Sequence, residues 1–284
     1  MKIAVIIPAA GIGKRFVEGG QEIAGGGSKV EMVLAGKPVF LRAIELFLHH
    51  HDVHQVILAV NPDQVGEFRM RYGDKLGFMG VKIVAGGKKE RWETVMNALE
   101  AVDDVVTHVA VHDAARPLAS GEMIERVFTA CERHDAVIPG VAVNATLKKV
   151  ADAGLEVGGA DDVLADAILG SAGKVSVPVQ RVVETVSREA MVEVQTPQVV
   201  AVGLMKKAYA QIRDGEMDGN GITDDASLVE AMGIDVYVVE GESTNFKITR
   251  REDAELAEAL LEKRETKAAA GLAKKRLFGD EDED

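Results

Sequence analysis

Lys2-Ile3-Ala4-Val5-Ile6-Ile7-Pro8-Ala9-Ala10-Gly11-Ile12-Gly13 carries an apolar, β-branched run that stops at proline and passes into small residues and glycine. Such a run reads as a strand buried on both faces, feeding a loop bare enough for close backbone approach. The pattern that follows has the same rhythm. Val39 to His49 presents a broad helical face after Pro38, and Gln55 to Val60 is a strand ended by Asn61-Pro62. Asp63 to Tyr72 suits a helix, Val81 to Val84 a strand, Arg91 to Ala101 a helix, and Thr107 to Val111 another buried strand. Glu122 to His134 gives a further helix and Ala136 to Val141 a further strand. Strands alternating with helix-length segments predict an α/β fold, a mostly parallel central sheet with helices on both faces and right-handed crossovers. Ligands of such sheets gather at the carboxyl ends of the strands.

At residues 151 to 180 the character changes to Gly, Ala and Asp with weak periodicity, which predicts a protruding arm rather than a core element. We place the arm at about 142–195. Core pattern resumes with Val199 to Ile212 and Asp224 to Met232 as helices, Asp235 to Glu240 as a strand and Arg251 to Glu265 as an amphipathic helix. The tail 266–284 is basic and then acidic, ending in five consecutive acids, the composition of a disordered end. The expected organisation is one domain over 1–265, with a flexible glycine-rich loop at 17–28 and the arm as additions.

The 284 residues are 47% hydrophobic, and 33 Lys+Arg against 46 Asp+Glu give a net charge of −13. This is a globular chain able to bury a core. Its acidity argues against nucleic acid or a membrane surface as partner, because a polyanion is repelled over most of the surface. No apolar run approaches the roughly 18 residues of a membrane span, and Pro8 comes too early for a secretory signal, so a cytoplasmic location is expected. Cys131 is the single cysteine. It excludes an intrachain disulfide and a cysteine-based zinc cluster, and a packing role is expected for it. His49, His50, His51 and His54, without nearby acids or cysteines, read as a polar helix end, and Met191, Met205 and Met232 as core residues.

Two motifs carry chemistry. The first, Pro8 to Phe16, follows the opening strand. A dinucleotide fingerprint would need glycine where Phe16 stands and an acid at the end of the next strand, which ends instead in Val60-Asn61. A Walker loop would need Ser or Thr after Gly13-Lys14, where Arg15 stands. What remains is a small-residue loop, with Gly11 and Gly13 letting N–H groups approach a phosphate or base, and cations at Arg15 and Lys29. Five of the twelve residues Val17 to Ser28 are glycine, so Lys29 follows a segment suited to folding over a triphosphate. The second motif is His112-Asp113-Ala114-Ala115-Arg116-Pro117 at a strand's carboxyl end. A carboxylate emerging there suits Mg²⁺, which prefers oxygen ligands shared with substrate phosphates. Arg116 suits a second anionic group, and His112 reads as a structural neighbour.

Together these motifs resemble the 2-C-methyl-D-erythritol 4-phosphate cytidylyltransferases of the non-mevalonate isoprenoid pathway. The resemblance continues in order through Gly86-Gly87 with Arg91 to Val95, Thr146 to Lys149, Thr185 to Arg188, Thr196-Pro197-Gln198, Ile222 to Ser227 and Asn245 to Arg250. It implies a Rossmann-like nucleotidyltransferase fold that joins CTP to the polyol phosphate with release of pyrophosphate, using Mg²⁺ or another divalent cation. It further implies that Arg15 and Lys29 stabilise the pentacoordinate α-phosphate, that Arg188 and Lys247 position the substrate phosphate, and that Asp113 meets metal and nucleotide. By the same resemblance Ala9, Ala10, Gly87 and Thr94 hold the cytidine. Arg116 and Thr146 touch the methylerythritol phosphate, Thr146 from an arm that pairs two chains as a homodimer.

The chemistry is consistent with that set. A phosphate monoester is already ionised at neutral pH and needs no general base; it needs relief from repulsion by the triphosphate, so catalysis becomes positioning plus charge neutralisation. Two other functions fit less of the sequence. A ribitol 5-phosphate cytidylyltransferase shares the scaffold but usually has valine where Ala115 stands and lacks a clear match to Ile222 to Ser227. A catalytically silent CTP-binding regulator is disfavoured by the presence of Arg15, Asp113, Arg188 and Lys247.

Overall fold

The computed structural model describes residues 1–11, 28–158, 175–219, 222 and 224–278. The chain divides into two compact units, Met1–Val141 with Val194–Asp284, and Ala142–Glu193.

In chain order the first unit begins with β1 (Ile3–Ala9), the short pair β2 (Val33–Leu34) and β3 (Lys37–Pro38), then α1 (Val39–Glu45), β4 (Val53–Val60), α2 (Val65–Phe78) and β5 (Val81–Ala85). It continues with α3 (Arg91–Leu99), β6 (His108–Val111), α4 (Gly121–Cys131) and β7 (Ala136–Ala142). The second unit holds β8 (Leu147–Gly158) and β9 (Val175–Val186). After them come β10 (Val192–Val194), β11 (Gln198–Ala201), α5 (Val202–Arg213), α6 (Asp225–Ala231), β12 (Tyr237–Glu240) and α7 (Arg251–Phe278).

The central sheet has eight strands in the order β10-β7-β11-β6-β1-β4-β5, with β12 paired to β7. β1 lies between parallel neighbours, Val5 facing Val56 of β4 on one side and Ala110 of β6 on the other. The period of two along β1 sends Ile3, Val5 and Ile7 to one face, where they meet Phe40 and Ile44 of α1, Phe47 from the turn after it, Phe68 of α2 and Phe128 of α4. Ala4 and Ile6 face the opposite layer, with Val95 and Ala98 of α3, Met205 and Tyr209 of α5 and Leu228 of α6. Burial on both faces explains why β1 reads as an unbroken apolar run, and the α/β expectation holds.

A third cluster joins Leu34, Val39 and Leu118 to Ile248, Ala254, Ala257 and Leu261, seating the first turns of α7. Beside it, the hairpin of β2 and β3 turns through Ala35 and Gly36 at φ of 42° and 78°, the paired positive values of a two-residue turn. Arg42 donates to the Leu34 and Ala35 carbonyls at 2.8 and 2.6 Å and fixes that turn. Cys131 is buried in the first cluster, and burial pushes its thiol up to about 12.

Three expectations are corrected. The helix expected over Val199 to Ile212 starts only at Val202; Gln198–Ala201 is a strand, antiparallel to both β6 and β7. Val199 and Val200 are fully buried in the sheet, where their β-branched side chains pack on opposite faces. Met205 is buried but Met191 is 39% exposed. The histidines do have acids nearby: His51 Nε2 lies 3.2 Å from Asp52, and His50 Nε2 lies 2.9 Å from Glu125, which α4 brings from 75 residues away.

In the second unit β8 and β9 form a long antiparallel hairpin, pairing Leu147 with Val186 at one end and Gly158 with Val175 at the other. The expected glycine-rich loop from residue 17 to 27, residues 159–174 of the expected arm and the terminal acids lie outside the described residues. Among the described residues no helix is long and apolar enough to cross a membrane.

Candidate functional site

A cavity of about 590 Å³ opens where the parallel strands of the first unit end. β1 delivers Pro8 to Gly11, β4 Asn61, β6 Asp113 to Ala115, and the turn from β5 into α3 delivers Gly87 to Arg91. Two lysines come from elsewhere. Lys29 belongs to a short helical turn, and its ammonium donates to the Ile248 carbonyl; Lys247, next to Ile248, is held by the cluster at α7. The Ile248 amide donates to the Ala115 carbonyl at 2.9 Å, tying the Lys247 segment to the loop that carries Asp113.

One wall of the cavity is bare for a steric reason. A Cβ on Gly86 would sit 2.8 Å from Ala10 Cβ and from Thr94 Cγ2, and one on Gly87 would sit 2.3 Å from Glu93 Cβ. The Gly87 amide donates to Thr94 Oγ1 at 3.0 Å, and Glu93 Oε2 collects the Lys89 and Glu90 amides at 2.9 and 3.2 Å. The turn is thereby folded back onto the first residues of α3.

Asp113 is the electrostatic centre. Its Oδ2 lies 2.8 Å from Lys247 Nζ and 3.7 Å from Arg116 Nε, and its Oδ1 lies 3.3 Å from Arg91 Nε. Burial by itself pushes the acid up, but the three cations overrule burial and hold the carboxyl well below the usual carboxylate range. Its backbone is pinned as well. The Asp113 amide donates to Thr196 Oγ1 at 3.1 Å, Thr196 Oγ1 lies 3.1 Å from His112 Nδ1, and His112 Nε2 lies 2.9 Å from the Arg116 carbonyl. A carbonyl only accepts, so Nε2 carries the proton and Nδ1 accepts from the threonine hydroxyl. Burial pushes His112 down to about 4, so the ring stays neutral in this network at neutral pH.

Of the residues expected at the site, Ala9, Ala10, Gly11, Lys29, Gly87, Thr94, Asp113 and Lys247 line this one cavity. Arg116 stands beside Asp113 but is buried, its guanidinium donating to the Asn245 carbonyl at 2.7 Å and the Val194 carbonyl at 3.4 Å. Gly13 and Arg15 lie outside the described residues, and Thr146 and Arg188 belong to the hairpin unit, where Arg188 donates to the Asn144 carbonyl.

Sequence reasoning missed Arg91 and Asp225. Arg91 lines the cavity and bridges Asp113 to Asp225, whose Oδ2 lies 2.7 Å from Arg91 Nη1. Burial opposes the arginine's charge, yet the two carboxylates raise its pKa above the ordinary value. An arginine opening a helix after Gly-Gly is a visible signal; its partner, 134 residues away, is not.

This anatomy defines the class of α/β nucleotidyltransferases, which hold an anionic nucleotide over strand ends and act by positioning and charge. The profile of the 2-C-methyl-D-erythritol 4-phosphate cytidylyltransferase (IspD) family matches residues 3–167 and 163–263. A protein of that name from Frankia casuarinae is 36% identical over 261 residues, covering 92% of this chain and 81% of the relative. Another, from Bacteroides thetaiotaomicron, is 35% identical over 92% of this chain and 100% of its own length. The crystal structure of the cytidylyltransferase from Thermus thermophilus superposes with a TM-score of 0.64 at 28% identity, over 92% of this chain and 100% of that one. The 4-diphosphocytidyl-2C-methyl-D-erythritol synthase of Anaerococcus prevotii gives 0.68 at 25% identity, over 92% and 96%. The chain belongs to the 2-C-methyl-D-erythritol 4-phosphate cytidylyltransferase family.

Proposed function

We propose that this protein transfers CMP from CTP to 2-C-methyl-D-erythritol 4-phosphate, giving 4-diphosphocytidyl-2-C-methyl-D-erythritol and pyrophosphate. The observation that carries the reading is the convergence of Lys247 and Arg91 on Asp113, in the same cavity as Lys29 and the bare Ala10, Gly87 and Thr94 wall. A substrate phosphate oxygen attacks the α-phosphorus in line; the new P–O bond forms as the bond to the β-phosphate oxygen breaks, and pyrophosphate carries away the electron pair. No protein base is required. Lys29 offsets charge at the α-phosphorus and Lys247 orients the incoming phosphate, while Arg15 and Arg188 complete the set by resemblance. Thr146 and Arg116 are assigned to the polyol phosphate on the same ground. The buried geometry of Arg116 adds a second task, holding Asp113.

A divalent cation fits the donor set. Asp113 and Glu90 are the carboxylates among the described lining residues, and one or two carboxylates completed by phosphate oxygens and water are what Mg²⁺ takes. Asp113 would hold the ion, which when bound supplies charge neutralisation on the triphosphate. We further read the protein as cytoplasmic and as a homodimer formed through the hairpin at about 142–195, on which Val150, Val182 and Val183 are exposed. We also propose that residues 1–265 work as one catalytic domain carrying that hairpin.

The test is pyrophosphate release by the purified chain with CTP, ATP, GTP or UTP, with and without Mg²⁺, against methylerythritol 4-phosphate and ribitol 5-phosphate. Metal-dependent turnover of CTP with methylerythritol phosphate is expected. Preference for ribitol phosphate would replace the substrate, and CTP binding without turnover would make the chain a regulator.

A further inference from the structure

Asp225 is completely buried at the first turn of α6, and its charge is not needed by the helix it opens. Asp224 caps that helix, its Oδ1 accepting the Ser227 amide at 3.1 Å, while Gln198 Oε1 accepts the Asp225 and Ala226 amides at 3.0 Å each. The Asp225 carboxylate is engaged elsewhere. One oxygen accepts from Arg91 Nη1 at 2.7 Å and the other from the Tyr209 hydroxyl at 2.6 Å. A carboxylate fixed at both oxygens and through its own amide is a rigid anchor, and a guanidinium is a rigid planar fork. Gripped at Nη1, Arg91 is set at one orientation, with Nε toward Asp113 and its place in the cavity wall kept.

We propose that Asp225 is a positioning residue for the CTP triphosphate, acting through Arg91. By drawing the guanidinium back, it shares the arginine between two carboxylates and leaves Asp113 available to the nucleotide side of the cavity. With a neutral residue at 225, Arg91 turns fully onto Asp113 and withdraws it from that role. The inference rests on the cytidylyltransferase reading. It adds a residue that touches no substrate.

The test is a double-mutant cycle of Asp225→Asn and Arg91→Lys, read on CTP affinity by calorimetry with Mg²⁺ present and on the steady-state constants for both substrates. Asp225→Asn is expected to weaken CTP binding and raise its KM about tenfold, to leave KM for the polyol phosphate within about twofold, and to add little once Arg91→Lys is present. Tyr209→Phe leaves Asp225 charged but less firmly held; it covers the case in which Asp225→Asn does not fold, with an expected loss of about threefold in CTP affinity, again absent in the Arg91→Lys background. Additive losses, or a fall in melting temperature with unchanged CTP affinity, would show a purely structural Asp225 and overturn the inference. An active wild-type chain with additive variants refutes the inference alone; a wild-type chain that neither binds nor turns over CTP refutes the reading of the site and the inference with it.

Discussion

Lys247 meets Asp113 at 2.8 Å and Lys29 lines the same cavity, so on the proposed reading each ammonium is held in place before charge develops instead of being recruited by it. Removing one such group costs on the order of 10²- to 10³-fold in rate, and Lys29→Ala and Lys247→Ala are expected in that range by initial-rate assay. Near-normal turnover in either folded variant would remove that lysine from the mechanism. A second prediction concerns pH. Because burial pushes His112 down to about 4, between that value and the ordinary value near 6.5 the unfolded chain binds a proton that the folded chain does not. Stability then rises with pH across the window, by about 3 kcal/mol in all, and is flat on either side as far as this group is concerned. Asp113 acts in the same sense and lower down: its depressed pKa contributes stability above its ordinary value near 3.9, lost as pH falls through the folded value. Urea titrations at pH 5 and 7 should show the His112 slope in wild type and a shallower one in His112→Gln. Parallel slopes would contradict it.

Elements matter through the turns they place. The strand β5 ends at Ala85 and is followed by Gly86-Gly87, and α3 begins at Arg91, so the intervening turn presents backbone to the cavity and then an arginine. Gly87→Ala puts a Cβ 2.3 Å from Glu93 Cβ and 2.9 Å from the Thr94 nitrogen, close enough that the turn must shift and the bond to Thr94 Oγ1 loosen. Overpacking of this kind costs about 1–3 kcal/mol, equivalent to roughly five- to 150-fold in affinity if it falls on the bound state. Calorimetric CTP affinity is the readout, and an unchanged value would show that this turn does not meet the nucleotide. Val199 to Ala201, strand where the helix expected over Val199 to Ile212 would begin, make the complementary point. Val199 and Val200 continue the helical apolar spacing of α5, yet they are strand, because β6 and β7 offer them backbone partners on both sides.

At the scale of the whole molecule, a chain of net charge −13 offers CTP a locally cationic cavity, so affinity for the nucleotide should fall with added salt as surface and pocket charges are screened. Light scattering at micromolar concentration is expected to give twice the chain mass, and replacing Val182 and Val183 with lysine should return a monomer. A wild-type monomer would refute the hairpin dimer. What the sequence determined by itself was local: the β-branched run of β1, the glycine-bare loops, the strand-end carboxylate and the order of motifs, all features written within a few residues and fixed by sterics and periodicity. Only the tertiary structure decided that Lys247 and Arg91 close on Asp113, that Asp225 stands behind Arg91 and that Arg116 is turned inward to carbonyls. Those pairings join residues up to 134 positions apart, and their geometry exists only once both faces of the sheet are packed, so no window of sequence contains them.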